Sequence, residues 1–214
     1  MNKIFRVIWN ASKGVWEAVG EIGSSKRKSK SRGLGSISLA AASAIVGSLL
    51  LLNLSPLALA STLPSGGQVN SGSAEISVSG NKLQVVQSSQ KVVIDWQSFS
   101  IGQGNEVEFS QPSAEAAALN RVTGSQVSEI RGSLKANGQV FLINPNGILF
   151  SATSEVNVGA LVSSTLDISN EDFISGNYSF EGADTGLVIN RGNIHAAEGG
   201  FVAMIAASVI NTGS

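Results

Sequence analysis

The sequence predicts an all-β solenoid of stacked coils, and three observations carry that reading. The first is Gln139–Leu161, where the apolar run Val140-Phe141-Leu142-Ile143 meets the corner Asn144-Pro145-Asn146-Gly147 and continues as Ile148-Leu149-Phe150. Val, Ile and Phe favour a pleated surface, Pro145 presets a turn, and Asn146 and Gly147 tolerate left-handed backbone. The second is a repeat: Val188-Ile189-Asn190-Arg191-Gly192-Asn193 returns 21 residues later as Val209-Ile210-Asn211-Thr212-Gly213-Ser214. Short strands recurring at this period with Gly/Asn corners indicate stacked coils, whereas ankyrin or TPR arrays would show helical periodicity. The third is the set of short β-rich stretches between Gly, Asn, Asp and Ser that fills the chain after residue 61.

The elements follow in order. Over Met1–Ile22, apolar Ile4, Phe5, Ile8, Val15, Trp16, Val19 and Ile22 are largely spaced three or four apart, which predicts an amphipathic helix. Lys26–Arg32 (KRKSKSR) is a basic run, and residues 33–60 carry no charged side chain. Together they read as the n-region and hydrophobic region of a signal peptide; a retained membrane anchor is the alternative. Pro56 breaks the segment, and Ala58 and Ala60 place small residues at the −3 and −1 positions of a cleavage site, so signal peptidase is expected to cut between Ala60 and Ser61.

Residues 61–214 form the second part. Leu63–Gly80 is Gly/Ser/Asn-rich with a short strand at Glu75–Val78, and Lys82–Gln87 and Lys91–Trp96 are stronger strands. Trp96 and Phe99 are read as a plug for the open end of the stack, with a carbohydrate platform as the alternative. Glu106–Phe109 alternates as a strand, and Ala114–Leu119 is the one helix-favouring stretch of this part. Arg121 either lies on the surface or pins neighbouring coils through carbonyls. Val127–Ile130 and Leu134 lead into the central stretch, and Val162–Ile168 follows it. Asn170–Asn177 is a polar interval. Strands are then expected at Tyr178–Phe180, Leu187–Asn190, Ile194–Ala196, Phe201–Ala206 and Val209–Asn211. About 21 residues per coil gives about seven coils, and Asn190 and Asn211 are expected to stack amide to amide. No polar cap closes the last coil, which reads as a fragment, or the truncated front, of a much longer protein.

Charge is segregated. Eight basic residues against Glu17 and Glu21 give the first 32 residues +6, whereas residues 61–214 carry six basic and thirteen acidic residues. An acidic domain argues against nucleic-acid binding, which needs a basic face. Cysteine is absent, which suits a chain that crosses an oxidising compartment unfolded; chance in a Gly/Ser/Ala-rich sequence is the alternative.

No catalytic constellation emerges. His195 is the only histidine, the acids are scattered, and Ser100–Gly104 lacks the Lys and strand-to-helix context of a phosphate loop. The reading is therefore a non-enzyme without cofactor or metal.

These blocks resemble the secretion domain of two-partner secretion exoproteins, the filamentous haemagglutinin family. The resemblance rests on Asn144-Pro145-Asn146-Gly147-Ile148 within FLINPNGILFSATSEVNVGALVSSTLDIS, on Ile94–Gly102, on Asn120-Arg121-Val122 and on Gly200–Ala206. It implies a right-handed parallel β-helix with an N-terminal cap, preceded by a long helical signal peptide. Residues 1–60 would be an extended signal peptide, with 1–25 as the extension, 26–32 as the n-region and 33–60 as the hydrophobic region. Residues 61–214 would be the secretion domain. The implied partners are the Sec translocon, signal peptidase and an outer-membrane β-barrel transporter with periplasmic POTRA-type domains. The implied destination is the medium or the surface of a Gram-negative cell, with the mature part not embedded in a membrane. Asn144–Ile148 and Asn120–Val122 are the expected recognition residues. A surface adhesin segment that itself binds cells or glycans is the alternative.

Overall fold

A computed structural model describes residues 2–10, 15–20, 62–183 and 186–214. The first two segments are strands, Asn2–Asn10 (β1) and Val15–Gly20 (β2), paired as an antiparallel hairpin. These strands stand where the sequence predicts an amphipathic helix over Met1–Ile22. The basic run, hydrophobic region and cleavage site lie outside the described residues.

Gln68–Ser71 (β3) and Ala74–Ser79 (β4) open the folded part as antiparallel edge strands. Five coil levels follow. The first holds Lys82–Gln87 (β5) and Lys91–Trp96 (β6), with Ile101 bridging to Ile130 as its third side. The second holds Glu106–Ser110 (β7), Ala117–Val122 (β8) and Ser128–Ile130 (β9). The third holds Ser133–Ala136 (β10), Gln139–Ile143 (β11) and Ile148–Phe150 (β12). The fourth holds Glu155–Val158 (β13) and Ala160–Ser164 (β14). It then makes an excursion through a helix, Asn170–Ser175 (α1), and a strand, Ser179–Ala183 (β15), before closing with Leu187–Asn190 (β16). Asn193–Ala196 (β17), Val202–Ile205 (β18) and Ser208–Asn211 (β19) make the fifth.

Like strands of successive coils pair in parallel, giving three sheets on a right-handed solenoid. Val92, Ala118, Val140, Leu161 and Val202 form one column. Its first three steps span 26, 22 and 21 residues, and the step from Leu161 to Val202 spans 41 because of the excursion. Longer early coils, the antiparallel cap and the excursion together reduce the expected seven coils to five. Asn190 and Asn211 are paired as expected, with Asn190 Nδ2 donating to Asn211 Oδ1 at 3.0 Å.

The middle sheet is buried on both faces. Val92, Ile94, Trp96, Ala118, Val140 and Leu142 point into the coil, while Val93, Leu119, Phe141 and Ile143 lie under the excursion with Phe173 and Phe180. This double burial explains why Val140–Ile143 is continuously apolar instead of alternating. Burying each such side chain contributes about 1.5–3 kcal/mol before ordering entropy.

Two local readings change. Ala114–Leu119 does not form a helix: Ala114 lies exposed in a turn, and Ala117, Ala118 and Leu119 are buried in the middle sheet as the start of β8. The polar interval instead contains α1. Ser169 Oγ accepts from Asp172 N at 3.0 Å, Gly176 adopts φ +84°, and Asn177 N returns to Asp172 O at 2.8 Å. These contacts satisfy both ends of a short helix.

Candidate functional site

The Asn144–Gly147 corner is built from one buried amide. Asn144 is fully buried, and its Nδ2 donates to Gln126 O and Ser128 Oγ, both at 2.9 Å. Its Oδ1 accepts from Asn146 N at 2.9 Å and from Asn146 Nδ2 at 3.0 Å. The turn closes with Gly147 N donating to Asn144 O at 3.0 Å. Asn146 reaches back to the preceding coil, where Nδ2 donates to Gly124 O at 2.9 Å. Gly147 takes φ +120°, and a Cβ there would sit 3.2 Å from Leu187 O. Pro145 and Asn146 face solvent, while Ile148 is buried in the core. The corner therefore joins segment 124–128 of one coil to the turn of the next.

The Asn120–Val122 group divides between the two faces of its strand. Asn120 and Val122 are buried. Asn120 Oδ1 accepts from Trp96 Nε1 at 3.0 Å, and its Nδ2 donates to Ala118 O and Phe141 O, both at 3.3 Å. Arg121 points the other way and clamps the excursion. Its guanidinium donates to Asp167 Oδ1 at 2.8 Å, Asn170 Oδ1 at 2.9 Å, Ile168 O at 2.6 Å and Asp95 Oδ1 at 3.2 Å. One of its partners, Ile168 O, is a backbone carbonyl; the others are side-chain oxygens, and most lie in the excursion. The two motifs do not form one patch: Asn120 is interior, Arg121 serves the outer face of the middle sheet, and the corner lies on a different edge.

Trp96 and Phe99 meet edge to face at 5.5 Å and are buried. Gly67 lies against the Trp96 ring so closely that a Cβ would stand 2.6 Å from it. The pair fills the capped end of the stack and presents no ring face to a sugar. His195 is exposed on β17.

Sequence reasoning missed three features. Gly138, Gly159 and Gly200 form a ladder at one corner, where a Cβ on each would strike the backbone carbonyl of the level before. Gly132, Gly192 and Gly213 form a second at another corner. Lys91 is the third: Nζ donates to Phe173 O at 2.8 Å and Ile174 O at 3.0 Å and lies 5.5 Å from the Phe173 and Tyr178 ring centroids. Burial holds its ammonium pKa below the usual lysine value and raises that of the Tyr178 phenol. Gly138 and Gly159, and Gly192 and Gly213, had a sequence signal in their spacing of 21 residues; the Lys91 contact had none.

Among the described residues, no cluster of three His, Cys, Asp or Glu side chains could hold a metal ion, and no helix is long and apolar enough to cross a membrane. The arrangement is that of a scaffold whose polar groups serve turns and coil contacts. Residues 60–214 match the TPS secretion domain. The chain belongs to the TPS secretion domain family. Residues 1–50 match the extended signal peptide of the type V secretion system.

The TPS domain is a non-catalytic scaffold, here that of a two-partner secretion exoprotein. Its signal features are those of export to the surface of, or the space outside, a Gram-negative cell. The chain is similar to the crystal structure of the HMW1 secretion domain from Haemophilus influenzae. The TM-score is 0.67 at 38% identity, covering 70% of this chain and 41% of that one. It is 42% identical over 168 residues to a heme/hemopexin-binding protein of Haemophilus influenzae, covering 73% of this chain and 18% of that protein. A trimeric autotransporter adhesin, AtaA, of an Acinetobacter species is 45% identical over 73 residues, covering 34% of this chain and 2% of that protein. The chain thus spans less than a fifth of these curated relatives.

Proposed function

We propose that residues 61–214 are an export-recognition module. The Sec translocon carries the chain across the inner membrane, and signal peptidase cuts between Ala60 and Ser61. The unfolded segment engages the POTRA-type periplasmic domains of a dedicated outer-membrane β-barrel transporter. It emerges, folds into the β-helix and templates the coils that follow. An extended segment adding to a partner's sheet edge is a physical mode for the first contact.

The observation that carries this reading is the Asn144–Ile148 corner within the matched secretion domain. It joins two coils through Asn144 and Asn146 while leaving Pro145 and Asn146 at the surface. Asn144, Pro145, Asn146, Gly147 and Ile148, with Asn120, Arg121 and Val122, are the residues assigned to recognition and to the coil geometry that follows it.

The test is secretion of residues 1–214 from a Gram-negative host with and without the cognate transporter. Transporter-dependent release of a β-rich product whose N-terminus is Ser61 is the expected result. Retention in the periplasm with the transporter present overturns the reading, and binding of cells or glycans by the retained product would move the function to a surface adhesin segment.

A further inference from the structure

The sequence contains two Asn-Gly pairs, Asn137-Gly138 and Asn146-Gly147, and the fold treats them alike. An Asn followed by Gly is the pair most prone to intramolecular imide formation, because glycine puts no side chain beside the attacking nitrogen. Both asparagine side chains are solvent-exposed, so water reaches them in the folded protein. What the fold removes is the freedom of the reacting atoms. Gly147 N is committed to Asn144 O at 3.0 Å, and Gly138 N to Gln111 Oε1 at 3.0 Å. The carboxamides are also committed. Asn146 Nδ2 donates to Gly124 O and Asn144 Oδ1. Asn137 pairs twice with the Gln111 backbone, accepting from N at 2.7 Å and donating to O at 2.8 Å. Neither glycine nitrogen can swing onto its neighbouring Cγ without breaking a turn and a coil-to-coil contact.

We propose that Asn137 and Asn146 are self-modification sites, silent in the folded β-helix and active in the unfolded chain, and that modification marks chains that stay unfolded too long. The backbone nitrogen of Gly147 attacks Cγ of Asn146. The N–Cγ bond forms, the Cγ–Nδ2 bond breaks, and the amide proton leaves with the departing nitrogen as ammonia. Water then opens the five-membered imide at either carbonyl to give aspartate or isoaspartate. The same steps apply at Asn137, and no oxidant or reductant is involved. Asn144 carries an internal exemption, since the Pro145 nitrogen that follows it has no proton to lose.

The product is wrong for the coil. At position 146 a carboxylate replaces an NH2 group that faces two oxygens, at 2.9 and 3.0 Å, leaving acceptors opposed to acceptors. At position 137 it opposes Gln111 O, 2.8 Å away. Isoaspartate also lengthens the backbone inside a corner. A delayed chain therefore loses the contacts that seat its third coil on its second. The consequence for export rests on the proposed secretion of an unfolded chain; the chemistry does not, and the two are tested apart.

The purified 214-residue chain is incubated at mildly alkaline pH, folded in buffer and unfolded in urea, and followed by peptide mass mapping. Modification at Asn137 and Asn146 is expected in urea, with Asn144 unmodified, and at least about 100-fold more slowly in buffer, since the reaction must await local opening. Similar rates in the two conditions, or no preference in urea for these two positions over other asparagines, would overturn the site assignment. Urea is then removed from a partly modified sample. Protease-resistant β-structure is expected to be depleted in modified chains, with the unmodified chains as the internal standard. Equal recovery of both populations would overturn the marking role. Transporter assays enter neither arm, so failure of the export reading leaves both results interpretable.

Discussion

At the scale of single residues, the polar groups that matter most are those without water. Asn120 is enclosed by Trp96, Ala118 and Phe141. Asn120→Leu keeps the volume but strands the Trp96 indole N–H and removes a donor from the Ala118 and Phe141 carbonyls, so a loss of about 1–3 kcal/mol is expected. The urea midpoint measures it, and an unchanged midpoint would show that Asn120 is not needed to satisfy Trp96. Gly147 is the backbone counterpart. Its φ of +120° is strained for any residue with a Cβ, and Leu187 O stands close by. Gly147→Ala is expected to cost about 1–3 kcal/mol and to reduce transporter-dependent secretion together with Asn146 variants. Normal secretion of both would remove the corner from the recognition reading. Asn146 also shows a limit of sequence reading: a turn was legible in Asn-Pro-Asn-Gly, but not that the Asn146 side chain bonds to Gly124 of the preceding coil.

At the scale of elements, the excursion through α1 and β15 is a separate layer held on the middle sheet by packing and by two cations. Phe173 packs edge to face on Phe141 at 5.2 Å, Tyr178 lies 5.0 Å from the same ring, and Arg121 bonds to Asp167, Ile168 and Asn170. Arg121→Ala removes hydrogen bonds to a charged group, with an expected local loss of about 1.5–3 kcal/mol. Amide exchange should quicken over residues 166–180 and stay slow in β11. Uniform quickening would mean that the layer and the coils open together. The helix itself had a sequence signature, Ser169 followed by Asp172 at the third position and closed by Gly176, but it is short and has one buried residue, Phe173. An apolar periodicity cannot show over so few residues, so the interval reads as polar loop.

At the scale of the whole molecule, the stack is reinforced by side chains that cross coils on its outer face. Lys82 bonds to Glu106 at 3.0 Å and to Glu108, and Lys135 bonds to Glu106 at 2.6 Å, linking three coils. Hydrogen bonds from Lys135 and then Lys82 hold the Glu106 carboxyl below its ordinary value of 4.5. Its folded pKa lies under its unfolded one, so the ionised group contributes stability above the unfolded value and loses it as pH falls through the folded value. Glu106→Gln is therefore expected to be the less stable protein at neutral pH, with the gap closing in acid below the ordinary carboxylate value. Denaturant titrations at both pH values check this, and a gap that persists in acid would assign the effect to packing. Since the group is near the surface, the difference should be small and weakened by salt.

What the sequence by itself determined was the class of fold, its corner, its period and its family. Each of these is written in local order: β-branched runs, Asn/Gly corners, the 21-residue repeat, the signal-peptide pattern. The tertiary structure alone decided the number of coils, the strand at Ala117–Val122, the layer over the middle sheet and the split of Asn120 from Arg121. Those depend on which surfaces meet. A run such as Val140–Ile143 is apolar on both faces whether a helix, a strand or a second layer covers it, and only the packed molecule shows that Phe173 and Phe180 do. The glycine ladders make the same point in reverse: each glycine looks like a loop residue alone, and its necessity appears only when the carbonyl of the coil below occupies the space of its missing side chain.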